Sequence, residues 1–230
     1  MFEKFRHRSD ELERLDTGDH TRAEYDKWQR EMRWIHGVFG EKAALRKTLV
    51  EDIRKRKLNY VSILDVGAGT GNILRLLSEM LQDRDVFAIA AETSDDALRV
   101  LGKERKKSGI RSVKCSGLDL PFDNYSVDYA ISTLTLHHLP DDAAVKLISE
   151  MCRVSRRRFY VVDLNRHPVG YYGYKVLSAF LFQRFTREDG ALSILRSRTP
   201  DELIALAKKA GVSQVKVEHS RANRLVLSGR

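Results

Sequence analysis

Residues 63–72 read ILDVGAGTGN. A short apolar run holds one acid, Asp65, and is followed by three glycines in five positions, Gly67, Gly69 and Gly71. Such a run predicts a buried strand, and glycines crowded behind it bring backbone close to a nucleotide-like ligand. Two familiar phosphate loops do not fit. A dinucleotide loop needs G-x-G-x-x-G, but here the third glycine comes one residue early and Asn72 stands in its place. A P-loop continues into Gly-Lys-Ser/Thr, which is absent. Both loops aim a helix N-terminus at an anion. Asp65, two residues before the first glycine, works against an anion and suits an ammonium or sulfonium group.

A second acid lies further on. The segment VFAIAAE (86–92) predicts the next strand and ends in Glu92. A carboxylate at that tip, about 20 residues past the glycines, can accept hydrogen bonds from both hydroxyls of a ribose. The two acids and the loop describe an adenosine ligand with a ribose, no phosphates and a cationic tail. S-adenosylmethionine fits, and a nicotinamide oxidoreductase does not.

The surrounding chain alternates strand and helix. Strands are predicted at 59–66, 86–92, 112–115, 127–133 and 158–164, and helices at 72–81, 95–107 and 141–154. Apolar strands separated by helices indicate a parallel sheet covered on both faces. Thr199-Pro200-Asp201-Glu202 is a capping box opening a helix that stops at Gly211. SQVKVEHS (213–220) and NRLVLSG (223–229), joined by about two residues, predict an antiparallel hairpin. The expected fold is therefore α/β, a Rossmann-like doubly wound sheet, mostly parallel with a C-terminal antiparallel hairpin. N-terminal helices and a helical insertion after strand five decorate it. Two domains are expected, an N-terminal helical cap at 1–58 and a donor-binding domain at 59–230, with the insertion at 165–198. In the cap, Tyr25, Trp28, Met32, Ile35 and Phe39 repeat at helical spacing and form one apolar stripe ended by Gly40, and a charged helix is expected over 41–57. A stripe of this kind either packs or covers a site; Trp28 is the candidate for touching a substrate.

Three motifs in register resemble the class I S-adenosylmethionine-dependent methyltransferases, in the branch that includes quinone-biosynthesis enzymes. They are ILDVGAGTGN, AIAAETSDDAL (88–98) and DLPFDNYSVDYAISTLTLHHLPD (119–141), and the resemblance runs from about residue 60 to 164. It implies that Gly67, Ala68, Gly69 and Asn72, with Asp65, surround the methionine part of the donor. Glu92 would hold the ribose with Thr93 beside it. Ser116, Gly117 and Leu118 would flank the adenine, and Ser132 and Thr133 would lie near the sulfonium. Many relatives carry aspartate where Ser116 stands, so the backbone of Gly117 and Leu118 is expected to carry more of the adenine contact.

Methyl transfer to a hydroxyl needs alignment and a base for the proton. His137 and His138 follow strand four at the carboxyl edge of the sheet, where such folds place ligands, and are the candidate catalytic residues. The resembling family builds its acceptor pocket in the segment after strand five. Here that segment holds His167, Tyr171 and Tyr172 as candidate acceptor-binding residues, with Tyr174, Phe180 and Phe182 nearby. These aromatics suit a phenolic, quinol-like or polyketide-like acceptor, or else simply fix the insertion to the core. The segment after strand four reads STLT (132–135), not Asn/Asp-Pro-Pro-Tyr/Phe, so an exocyclic amine of a nucleic acid base is not the expected target. No metal site is expected, because the paired histidines have no partner set in sequence.

Composition is consistent with this reading. Of 230 residues, 42% are hydrophobic and 32% charged, and the net charge is +9. The last 80 residues carry 16 basic and 6 acidic side chains. That excess raises the alternative of an RNA- or protein-directed methyltransferase, which would need a basic surface beside the donor pocket. A third reading is a module that senses the donor without catalysis. VLSAFLF (176–182) is far shorter than the ~20 residues of a membrane span, and the charged N-terminal stretch has no signal-peptide core. The expectation is a cytoplasmic enzyme, monomer or homodimer, acting on a small molecule, most simply at oxygen. Cys115 and Cys152 are expected as buried thiols.

Overall fold

The computed structural model describes residues 3–38 and 40–230. The strands are β1 (Tyr60–Val66), β2 (Asp85–Glu92), β3 (Arg111–Lys114), β4 (Val127–Thr133), β5 (Ser155–Leu164), β6 (Lys216–Ser220) and β7 (Arg224–Gly229). They form one sheet in the order β3-β2-β1-β4-β5-β7-β6, parallel except where β7 pairs with β5 and β6. This is the doubly wound sheet with a terminal antiparallel hairpin that the sequence predicts. Strand order reverses between β1 and β4, and the crevice beyond their carboxyl ends is where such sheets bind ligands.

In β1 every residue after Tyr60 is buried, so both faces are covered. Val61 and Ile63 point into one apolar layer and Leu64 and Val66 into the other. The first layer contains Leu74 and Leu77 of α5 (Asn72–Met80); the second contains Leu147 and Met151 of α7 (Asp141–Val154). Between them in the chain comes α6 (Asp95–Ser108), whose Leu101 joins the first layer; it is capped by the Ser94 hydroxyl and ended by Gly109 in the left-handed region.

Before the sheet come α1 (Arg14–Thr17), α2 (Arg22–Val38), α3 (Glu41–Leu45) and α4 (Glu51–Lys55). The helix expected over 41–57 is α3 and α4 joined through a π-helical turn, Arg46–Val50. That extra width seats Leu49 and Val50 in the first apolar layer. Phe39, the last residue of the predicted stripe, lies outside the described residues.

After β5 the expected helical insertion consists of two helices, α8 (Pro168–Leu181) and α9 (Arg184–Arg196). Phe182 and Gln183 are extended and break them. Then α10 (Pro200–Lys209) opens on the predicted capping box. The hairpin turn has three residues between paired Ser220 and Arg224, with Ala222 and Asn223 in the left-handed region. Cys115 and Cys152 are free and only half-buried, not enclosed.

Candidate functional site

A cavity of about 1220 Å³ opens at the carboxyl ends of β1 and β4. Its floor is Asp65, Gly67, Ala68, Gly69, Thr70 and Asn72 from the β1 loop, with Glu92 and Thr93 from the end of β2. The three loop glycines have positive φ, 73°, 52° and 79° in order. They differ in what surrounds them. A Cβ at Gly67 would meet the Thr135 hydroxyl at 2.8 Å and one at Gly71 would meet Leu101 at 2.7 Å, whereas one at Gly69 would meet nothing within 4 Å. Gly67 and Gly71 let the loop close on its neighbours, and Gly69 presents bare backbone to the cavity.

Asp65 is 1% exposed, and neither of its carboxylate oxygens has a hydrogen-bond partner. Burial, helped by the charge of Glu92, pushes its carboxyl up to about 8. A cation in the cavity would supply the missing partner. Glu92 accepts hydrogen bonds from the N–H groups of Gly69 at 2.7 Å, Thr93 at 2.7 Å and Ser94 at 2.9 Å. It ties the β1 loop to the segment that follows β2. The residues therefore fit a phosphate-free, cationic adenosine group.

Across the cavity lies an acid–histidine cluster. His137 is 3% exposed; its N–H donates to Asp163 Oδ2 at 3.0 Å and its Nδ1 is 2.7 Å from Asp163 Oδ1. Burial opposes ionisation of Asp163, but His137 and the Leu164 N–H outweigh it and hold the carboxyl below its usual value. An ionised Asp163 assigns the proton to Nδ1 and leaves the lone pair on Nε2. Nε2 faces Glu13, 3.8 Å away. His138 Nδ1 is 3.0 Å from Asp16 and 3.9 Å from Glu13. Burial pushes the Glu13 carboxyl up to about 7, against the charges of His138 and Arg196. Asp16 is also partly buried, but its bonds to His138 and Arg196 hold it well below the usual carboxylate range.

Sequence alone left the histidine pair without partners, whereas the fold brings Glu13 to them. The three offer donor atoms within 4.8 Å of one another. The Arg196 guanidinium sits 3.4 Å from Glu13 and also bonds Asp16. A fixed cation at that point suits a proton network better than a second, metallic charge.

The helical stripe faces the same space. Tyr25, Trp28, Met32 and Ile35 all line the cavity. Tyr25 stacks on His20 at 5.3 Å and on Trp28 at 5.6 Å, and His20 stacks on Phe185 at 5.2 Å. His20 and His36 also line the cavity, and each has a buried Nδ1 with no hydrogen-bond partner.

Several expected site residues do not line the cavity. Ser132 is fully buried and donates its hydroxyl to the Val66 carbonyl, while its neighbour Thr133 does reach the cavity. Ser116, Gly117 and Leu118 lie outside the lining. Gly117 is glycine because a Cβ there would meet Val66 at 2.6 Å and Leu147 at 2.7 Å. The ring of His167 caps α8, accepting from the Val169 N–H. Tyr171 and Tyr172 turn away to pack edge-on against Phe5. Of the insertion's aromatics, Tyr174 and Phe182 line the cavity instead.

Residues 63–158 match a family described as "Methyltransferase domain". The demethylmenaquinone methyltransferase of Shouchella clausii is 31% identical over 127 residues, 54% of this chain and 52% of that protein. The one from Staphylococcus carnosus is 29% identical over 195 residues, 78% of each. The chain thus spans about half the length of the first relative. Among solved structures, the plantazolicin methyltransferase BpumL, in complex with a monoazolic desmethylPZN analog and SAH, superposes with a TM-score of 0.71 at 13% identity, covering 94% of this chain and 92% of that one. A SAM-dependent methyltransferase from Aquifex aeolicus gives 0.56 at 17% identity over 78% and 87%. Strand order, the open glycine loop with its two acids, and the matched segment agree: residues 63–158 match a methyltransferase domain, and the chain is similar in sequence to demethylmenaquinone methyltransferases and in fold to SAM-dependent methyltransferases.

Proposed function

We propose that this enzyme transfers the methyl group of S-adenosylmethionine to a hydroxyl of a small aromatic or quinol-like acceptor. The observation that carries the reading is the continuity of one cavity. It runs from the glycine loop and unpartnered Asp65 to the His137 ring and the aromatic shelf of His20, Tyr25 and Trp28. A pocket of about 300–1,000 Å³ serves one drug-sized ligand; this one has room for donor and acceptor together.

In this reading Asp65, Gly67, Ala68, Gly69, Asn72, Glu92 and Thr93 hold the donor. When bound, the donor supplies an electrophilic methyl carbon on a sulfonium. The chain's task is orientation, which can lower a barrier by about 7–11 kcal/mol, and removal of the acceptor's proton. His137 Nε2 takes that proton as the oxygen–carbon bond forms. Asp163, ionised and bonded to Nδ1, stabilises the resulting imidazolium, and Glu13 faces the new N–H. The curated relatives act on a demethylmenaquinone by name, which favours a ring-bearing, lipophilic acceptor here.

The basic excess does not support a nucleic-acid acceptor. Arg166, Arg196, Arg198 and Arg224 are buried in internal ion pairs with Glu202, Glu13 and Asp16, Asp141 and Glu41. The cavity wall carries Glu13, Asp16, Asp65, Glu92, Asp96 and Asp189 against Arg22 and Arg224, so it is not the basic surface that a nucleic-acid acceptor needs.

The test is incubation with donor and a panel of phenols, quinols and hydroxypyrones, read by mass spectrometry. A gain of one methylene on a hydroxyl is expected. His137→Gln should lower kcat by about 10²–10⁴-fold with donor affinity unchanged. Methylation at carbon or nitrogen, or full activity in the variant, would overturn the base assignment.

A further inference from the structure

Helix α8 leaves a long apolar face uncovered. In PVGYYGYKVLSAFL only Lys175 is charged, and only Tyr171 and Ser178 are buried. Val169, Val176 and Phe180 are 74%, 67% and 84% exposed, and Tyr172, Leu177 and Leu181 are exposed with them. Single exposed apolar side chains are ordinary; a continuous helix face of them marks an interaction site. The face runs on into a shallow groove where Trp34 of α2 meets Leu181 and Phe182, beside Lys27 and Arg30.

Cations rim this surface. Lys4 stands 3.8 Å over the Tyr171 ring and 4.9 Å over Tyr172 at one end. Lys175 lies midway, and Lys27 and Arg30 are exposed at the other end. The nearby acids are engaged: Glu31 accepts from the Gln183 N–H and the Thr186 hydroxyl, and Glu188 pairs with Arg184 and Arg14. An apolar helix face with a basic border is complementary to the interface of an anionic bilayer. A second copy of the chain would set like-charged rims against each other. Fourteen residues are fewer than the ~20 that span a bilayer, so the helix can lie on a membrane but not cross one. Val169, Gly173 and Leu177 of the same helix also line the cavity.

We propose that α8 and the adjoining Trp34 groove dock this enzyme on an anionic membrane surface, with the cavity opening beside the lipid. A lipophilic acceptor would then reach the cavity without crossing water; that consequence rests on the methyltransferase reading, while the docking does not.

The test is co-sedimentation of the full chain with phosphatidylglycerol/phosphatidylcholine vesicles and with phosphatidylcholine alone. The chain should pellet with the anionic vesicles, less so as salt rises, and remain in solution with the neutral ones. A Val176→Glu, Phe180→Glu double variant alters only exposed positions outside the cavity lining. It should lose vesicle binding by about tenfold or more and keep donor affinity in calorimetry. No sedimentation of the wild type with anionic vesicles, or equal sedimentation of the variant, overturns the proposal. Equal binding to neutral vesicles overturns its anionic part. A wild-type dimer that the double variant dissociates, without vesicle binding, assigns the face to a second copy instead. Failure of donor binding in both proteins would count against the donor site and leave the docking result standing.

Discussion

At the scale of single residues, an unpartnered carboxylate is costly to bury, and Asp65 is one. Its carboxyl moves from the ordinary 3.8 to about 8 in the folded chain because of burial and, second, Glu92. The folded state therefore holds a proton that the unfolded state has released between those values. Stability from this group is complete below about pH 4 and is lost progressively as pH rises to about 8. Asp65→Asn removes the titration, so in urea melts of the donor-free protein the variant should gain on wild type from pH 4 to 8 and level off above. A pH-independent difference would refute this. The same variant should bind a cationic donor less tightly, since only the carboxylate can pair with it. Glu92→Ala and Gly69→Val should each weaken donor binding more than about tenfold, or 1.4 kcal/mol, by calorimetry. Unchanged affinity in both would remove the donor from this loop. Asp65, Glu92 and the glycines were legible because each is a residue type at a fixed distance from a strand end. Glu13 was not. It lies 124 positions before His137 in the chain, within DELERLD, where acids read as a solvated surface, and only the fold buries it.

At the scale of elements, periodicity located the strands, and capping chemistry located α10. It could not say what closes the cavity. The short helix α1 is held by a side chain far away in sequence: the Asp189 carboxylate accepts from the N–H groups of Arg14 at 3.0 Å and Leu15 at 2.9 Å. Such a cap across elements leaves no local signature. The aromatics of the insertion were legible as a group, but their directions depend on the break at Phe182 and Gln183, which carries no glycine or proline to announce it. The resulting pair α8–α9 packs through Gly190, where a Cβ would lie 2.1 Å from the Tyr174 hydroxyl oxygen. That hydroxyl donates to the Thr186 carbonyl at 2.7 Å. Gly190→Ala should force the helices apart at a cost of about 1–3 kcal/mol. In a chain of this size that lowers Tm by about 2–4 °C per kcal/mol. A thermal melt indistinguishable from wild type would show that the pair is loosely packed.

At the scale of the whole molecule, the sequence suggested a division at residue 58, helices before it and sheet after it. The packing gives that boundary a testable meaning. Ala44, Leu45, Leu49, Val50 and Ile53, all before the boundary, share one apolar layer with Ile63 of β1 and Leu74 of α5. Helices that contribute to the sheet's own core should not unfold separately from it. Both tryptophans, Trp28 and Trp34, sit on α2, so fluorescence reports the N-terminal helices while far-ultraviolet circular dichroism reports all elements. The two signals should trace one urea transition. Leu49→Ala, at a position with no exposure, should cost about 2–5 kcal/mol and move both signals together. A fluorescence transition that precedes the dichroism transition, or a variant that shifts only fluorescence, would make residues 1–58 an independent cap. A single shifted transition would mean that the wall of the cavity and the sheet beneath it stand or fall as one cooperative unit, so that donor bound on the glycine loop also stabilises the aromatic shelf opposite.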